Sequence, residues 1–114
     1  MIQGEWKNCT VTIATNDQLS AAVDLGRAYD TLLIVIPTIT SSTVNVRVSE
    51  NAAGTYQDLY ITATSDGDDD KPITTAGTGG ITWVVPIGGF QFIKLYCGSA
   101  QAANRTFRVC GVRS

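Results

Sequence analysis

Thr31-Leu32-Leu33-Ile34-Val35-Ile36-Pro37 decides the fold. Five consecutive large aliphatic residues, three of them β-branched, lie between Asp30 and a proline. A run this short and bounded in this way predicts a fully buried strand rather than a helix. Pro37 is expected to end it, because proline cannot donate to a sheet ladder. Alternate side chains of a strand point to opposite faces. Leu33 and Val35 therefore share one face, and Leu32, Ile34 and Ile36 the other. A sheet in a two-layer domain needs only one face buried. The second apolar face wants a cover, either a loop of this chain or another chain.

The segments around this run alternate in the same way. Cys9 to Ala14 puts Val11 and Ile13 on one face, and Asn16-Asp17 turns the chain. Leu19 to Leu25 follows, then the run at 31–36. Thr43 to Ser49 alternates most regularly, with Val44, Val46 and Val48 inside and Asn45 and Arg47 outside. Asn51-Ala52-Ala53-Gly54 is a turn. Thr55 to Thr64, Ile81 to Val85, Phe90 to Cys97 and Arg105 to Val112 complete eight strands. No segment has a helical period. Thr, Val and Ile supply 35 of the 114 residues, which favours β-structure. The expected fold is all-β: a single-domain, jelly-roll-like antiparallel β-sandwich of about eight strands. Residues 1–8 lack periodicity and read as an N-terminal arm, with the sandwich domain at 9–114. Ser65 to Gly80, rich in Asp, Gly and Thr, reads as a long loop.

Composition excludes several functions. Net charge is −2, and Asp66, Asp68, Asp69 and Asp70 account for −4 of it. No basic stripe is left to neutralise phosphates, so no nucleic-acid partner is expected. The uncharged stretch from Pro72 to Ile93 holds five glycines and four threonines, so no membrane partner is expected either. Met1 is followed by Ile2-Gln3-Gly4-Glu5 and not by an apolar leader, which points to synthesis in a cytoplasm.

Catalytic parts are missing as well. The chain has no histidine, so Ser-His-Asp and Cys-His nucleophilic sites and the usual zinc sites have no parts here. No carboxylate pair stands out for glycoside hydrolysis. The expectation is a protein that is not an enzyme and uses no cofactor or metal. The acidic cluster leaves one opening. It can offer oxygen ligands to Ca²⁺, or it can be a solvated turn that deters edge pairing. It lacks the ligand spacing and terminal Glu of an EF-hand. Cys9 and Cys97 alternate with core aliphatics, and Cys110 falls on the face of Arg108. A Cys97–Cys110 pairing stays open.

Association is the function that the residues themselves suggest. The two-faced apolar run predicts a homo-oligomer, with Leu32, Ile34 and Ile36 as candidate contact residues. Trp6 has two readings: a plug for the open end of the sandwich, or an anchor on a mobile arm that inserts into a partner. Tyr29, Tyr56, Tyr60 and Tyr96 are either a sugar-stacking platform or the wet rim of a sheet.

Leu19-Ser-Ala-Ala-Val-Asp-Leu-Gly26 with Leu32 to Pro37, Val44-Asn-Val-Arg-Val-Ser49 with Gly54-Thr-Tyr56, and Phe92-Ile-Lys-Leu95 with Ala103-Asn-Arg-Thr-Phe-Arg-Val109 form a familiar set. Together they resemble small β-sandwich virion proteins of tailed bacteriophages, with capsid decoration (cement) proteins nearest. The resemblance implies a protein made in the host bacterial cytoplasm that binds the outer capsid surface of the virion. It implies a trimer that joins neighbouring major capsid protein subunits. A phage neck or tail accessory protein would share the pattern. The valines, short turn and Gly-Thr-aromatic sequence also resemble the discoidin-like carbohydrate-binding sandwich. From that family the chain departs by lacking a disulfide joining its ends and an apolar sugar-binding loop.

Overall fold

The computed structural model describes residues 2–12, 18–62, 69–70 and 73–113. All its regular elements are strands: β1 (Ile2–Gln3), β2 (Lys7–Val11), β3 (Val23–Asp24), β4 (Thr31–Ser49), β5 (Gln57–Asp58), β6 (Ile61–Thr62), β7 (Asp69–Asp70), β8 (Ile73–Pro86), β9 (Phe92–Cys97) and β10 (Arg105–Arg113). The fold is all-β, as the alternation predicts. Eight strands form a single antiparallel sheet that curls on itself, and β6 and β7 pair separately. The expected sandwich is thus replaced by one continuous main sheet.

The difference from expectation begins at Pro37. β4 does not stop there but runs 19 residues to Ser49. Its partner β8 follows one edge from Thr31↔Pro86 to Asn45↔Ile73. The other edge is divided. β10 pairs with Thr31 to Val35 and β9 with Val44 to Ser49. Pro37 therefore sits in the gap between β10 and β9, where that edge has no strand to bond. The register of β4 against β8 shifts between Thr38 and Thr43, so the hairpin bends there.

All ten described residues of the expected loop Ser65–Gly80 are thus strand, Asp69–Asp70 in β7 and the rest in β8 from Ile73 onward. Gly79 makes the bend possible. Its φ is +82°, and a Cβ there would land on the Pro37 carbonyl oxygen. In the described part of the expected strand 55–64, residues 55–62, only the short β5 and β6 form. Ile13, Ala14, the Asn16-Asp17 turn and Ser65 to Asp68 lie outside the described residues.

The halves of the sheet meet again at Leu19–Ser20. Val11 bridges to Ser20, and Leu19 bridges to Tyr96. The Ser20 amide donates to the Leu95 carbonyl at 2.8 Å, and Ser20 Oγ accepts from the Leu95 amide at 2.9 Å. This stitch joins β2 to β9 and closes the curl around one core. Leu32, Ile34, Ile36, Val44, Val46, Ile93, Leu95, Phe107 and Val109 fill that core, each at most 1% exposed. Cys9, Cys97 and Cys110 are buried free thiols.

Residues 2–8 of the expected arm lie along the sheet. Ile2 and Gln3 pair with Arg113 and Val112, and Lys7 and Asn8 with Val109 and Arg108. The expected boundary after Asn8 falls inside β2. Register along β10 slips by one residue between Lys7 and Gln3, so Gly4, Glu5 and Trp6 form a bulge. That bulge hides the alternation from a sequence reading. The Gly4 amide donates to the Gly111 carbonyl at 2.8 Å, and Gly4 and Gly111 leave room for the buried Tyr29 ring.

Candidate interaction surface

Residues directly opposite on antiparallel strands share a face. Leu32, Ile34 and Ile36 stand opposite Val85, Trp83 and Ile81. All three β4 residues are in the core, which corrects their reading as contact residues. The two faces of 31–36 are equally apolar, so only the neighbours decide which one is covered.

The uncovered face is the other one. Leu33 pairs with Val84 on one side and Cys110 on the other, and Val35 with Thr82 and Arg108. Val84 is 59% exposed and Val35 37% exposed, while Leu33 is half-buried. Among the described residues no loop crosses them. The bulge that carries Trp6 lies across β10 from Leu33, and Cys110 Sγ there donates to the Gly4 carbonyl at 3.3 Å. Trp6 is 37% exposed, so it does not fill the core as a plug. Arg108 borders the patch, with Nη1 donating to Asn8 Oδ1 at 2.7 Å.

The outer face of the second half is finished differently. Arg47 lies over the Tyr96 ring, 4.3 Å from its centroid, and its Nε donates to Asp58 Oδ1 at 3.0 Å. Asn45 Nδ2 donates to the same oxygen at 3.1 Å. Lys94 Nζ sits 4.7 Å from the Tyr56 ring centroid. Burial, and then the charge of Asp24, push the Tyr56 hydroxyl above its ordinary value. Here the chain's own long side chains cover the sheet.

At the end of that half, a shallow groove of about 680 Å³ runs past Glu50, Asn51, Gln57, Leu59, Tyr60 and Phe90. Tyr60 is 55% exposed. Of the four tyrosines, Tyr60 alone lines this groove; Tyr29 is buried, and Tyr56 and Tyr96 lie under cations. The structure therefore does not gather them into one platform. Among the described residues no three His, Cys, Asp or Glu side chains converge as metal ligands. Asp66 and Asp68 lie outside the described residues, and Asp69–Asp70 form β7 against Ile61–Thr62.

No protein-family model and no curated protein matches the chain. Solved structures do. The SPBc2 prophage-derived protein YomS is similar over 97% of this chain and 95% of its own, with a TM-score of 0.57 at 13% identity. A chain from Bacillus endospore appendages, a family of disulfide-linked pili, gives a TM-score of 0.44 at 13% identity over 99% of this chain and 88% of its own. A chain of the cyanophage Pam1 capsid asymmetric unit gives 0.36 at 18% identity over 96% and 84%. The likeness to YomS is one of fold.

Proposed function

We propose that this protein is a structural component of a bacteriophage virion that binds the outer capsid surface and joins neighbouring major capsid subunits. The observation that carries the reading is the exposed apolar pair Val35 and Val84, with half-buried Leu33 between them. Small soluble domains keep such patches small unless another molecule covers them. The fold shared with a prophage-derived protein supports the phage setting, as does the sequence resemblance across 19–112. Several copies acting together would make weak single contacts strong by avidity.

The test uses capsids stripped of accessory proteins and a pelleting assay. Val35→Asp with Val84→Asp should weaken binding at least tenfold while circular dichroism stays unchanged. Undiminished binding by that folded variant would overturn the reading. A neck or tail accessory role predicts binding to those parts of the particle instead.

A carbohydrate-binding module is the second reading, and the groove beside Tyr60 and Phe90 favours it. An exposed aromatic next to Glu50, Asn51 and Gln57 offers a stacking surface with hydrogen-bonding groups around it. Displacement of the protein from its partner by a soluble oligosaccharide, abolished in Tyr60→Ala, would establish this reading over the first.

A further inference from the structure

We propose that the outer edge of β8 is a pairing edge that joins two copies of this chain, strand to strand, about a two-fold axis. β8 has β4 along one side only. Among the described residues it meets no other strand. An open edge presents unpaired N–H and C=O groups, and proteins guard such edges with charges, inward-pointing lysines or proline. β8 has none of these guards along its length. No charged residue occurs from Pro72 to Ile93, and its one proline, Pro86, is at the end.

The side chains along this edge are also bare. Val84 is exposed on the outer face. Ile81, on the inner face, is 42% exposed, although its opposite number Ile36 is fully buried. A strand added here would cover both, and it must be apolar on both faces and uncharged. Ile81-Thr82-Trp83-Val84-Val85-Pro86 is such a strand. Two of these segments running antiparallel, with Trp83 opposite Trp83 of the second copy, place Ile81 opposite Val85 and Thr82 opposite Val84. Every pair then matches inner with inner and outer with outer. That self-complementarity is what a two-fold contact requires. The positive-φ glycines Gly77, Gly79 and Gly80 limit the pairing to 81–86. Because the two copies extend one sheet, their Leu33–Val35–Val84 patches become one surface of double size. The inference stands whether or not the capsid reading does.

A six-residue strand pair is smaller than a standard interface, so a dissociation constant on the order of micromolar is expected. Sedimentation velocity of the full chain from about 1 to 100 µM, a range chosen around that constant, should show a monomer–dimer equilibrium. Ile81→Lys should weaken it at least tenfold, whereas Thr106→Lys, at an exposed position of β10 on the far side of β4, should leave it intact. Thr82→Cys combined with Val84→Cys should cross-link two copies under mild oxidation, and neither single variant should. If Ile81→Lys fails to fold by circular dichroism, Thr82→Lys replaces it with the same expectation. A strict monomer, a trimer, or a dimer indifferent to the edge lysine would overturn the proposal.

Discussion

The side-chain amide of Gln101 pairs with the main chain of Thr40 as a neighbouring strand would. The Thr40 amide donates to Gln101 Oε1 at 2.8 Å, and Gln101 Nε2 donates to the Thr40 carbonyl at 3.0 Å. Thr40 lies in the stretch of β4 that neither β10 nor β9 reaches. One side chain from the loop between those strands thus fills the gap in the ladder. Arg105 holds the same site, donating to Thr40 Oγ1 at 3.0 Å and Gln101 Oε1 at 3.2 Å.

Gln101→Ala should therefore cost about 1 kcal/mol, the low end of the range for unpaired main-chain groups, because the Thr40 backbone is only partly buried. Equilibrium urea unfolding measures it. A change under about 0.5 kcal/mol, the size of an ordinary surface substitution, would mean that water replaces the amide without loss.

Gly79 and Gly80 separate two kinds of glycine requirement. Both have positive φ, but only at Gly79 would a Cβ strike main chain, at Pro37. Gly80→Ala should cost about 1–2 kcal/mol for the strained backbone. Gly79→Ala should cost clearly more, because the β4–β8 hairpin must open to admit the methyl group. Equal losses in paired melts would show that contact with Pro37 adds nothing.

These two sites also show where the sequence is silent. The valines at 44, 46 and 48, the 93–95–97 set and Phe107 with Val109 all face the core as their alternation says. Local pattern suffices there, because one face is apolar and the other polar. It fails at Leu32 to Ile36, where both faces are apolar and burial depends on strands far along the chain. It fails again where a bulge intervenes. Gly77 to Gly80 look like a loop although β8 runs through them, and Trp6 looks like part of an arm although β10 flanks it. Pro37 misleads for a related reason: its missing donor falls where β4 has no second neighbour. The candidate surface was half legible. Trp6 and the need for a covered second face can be read from residues, but Val84, its most exposed member, is set by pairing with Leu33.

Cys9 gives the stability an alkaline limit. Burial pushes its thiol up to about 11 from an ordinary 9.0, although Ser20 Oγ, 3.1 Å from Sγ, opposes the shift. Burial raises Cys97 as well. Below pH 9 the thiols are protonated in folded and unfolded chains alike, and the native state is unpenalised. Above that, the unfolded chain ionises first, so stability falls as pH rises from about 9 towards about 11. Denaturant midpoints across that window should drop, and Cys9→Ala should flatten the drop. A wild-type midpoint constant through pH 11 would contradict the buried-thiol account.

Removal of residues 1–8 tests how far the N-terminal segment belongs to the sheet. A free arm could be deleted without harm to the fold. Here deletion strips β1 and the first two residues of β2 from β10. It also removes the Gly4 amide bond to Gly111, and it bares Cys110 and one side of Tyr29. Several ladder bonds at about 1 kcal/mol each, with the newly exposed apolar surface, amount to a large share of the 5–15 kcal/mol typical of a small domain. The truncated chain should melt far below the intact one or fail to fold, so its loss of binding would say nothing about Trp6. Trp6→Ala keeps every main-chain bond and isolates the side chain. It should lower thermal stability by on the order of 2 kcal/mol, since Trp6 is 37% exposed and the rest of its side chain is covered. If Trp6 is an interface anchor, its loss should weaken partner binding by about 2 kcal/mol, the hot-spot threshold. A truncated chain that melts with the intact protein would restore the arm, and a Trp6→Ala chain that binds like wild type would remove Trp6 from the interface.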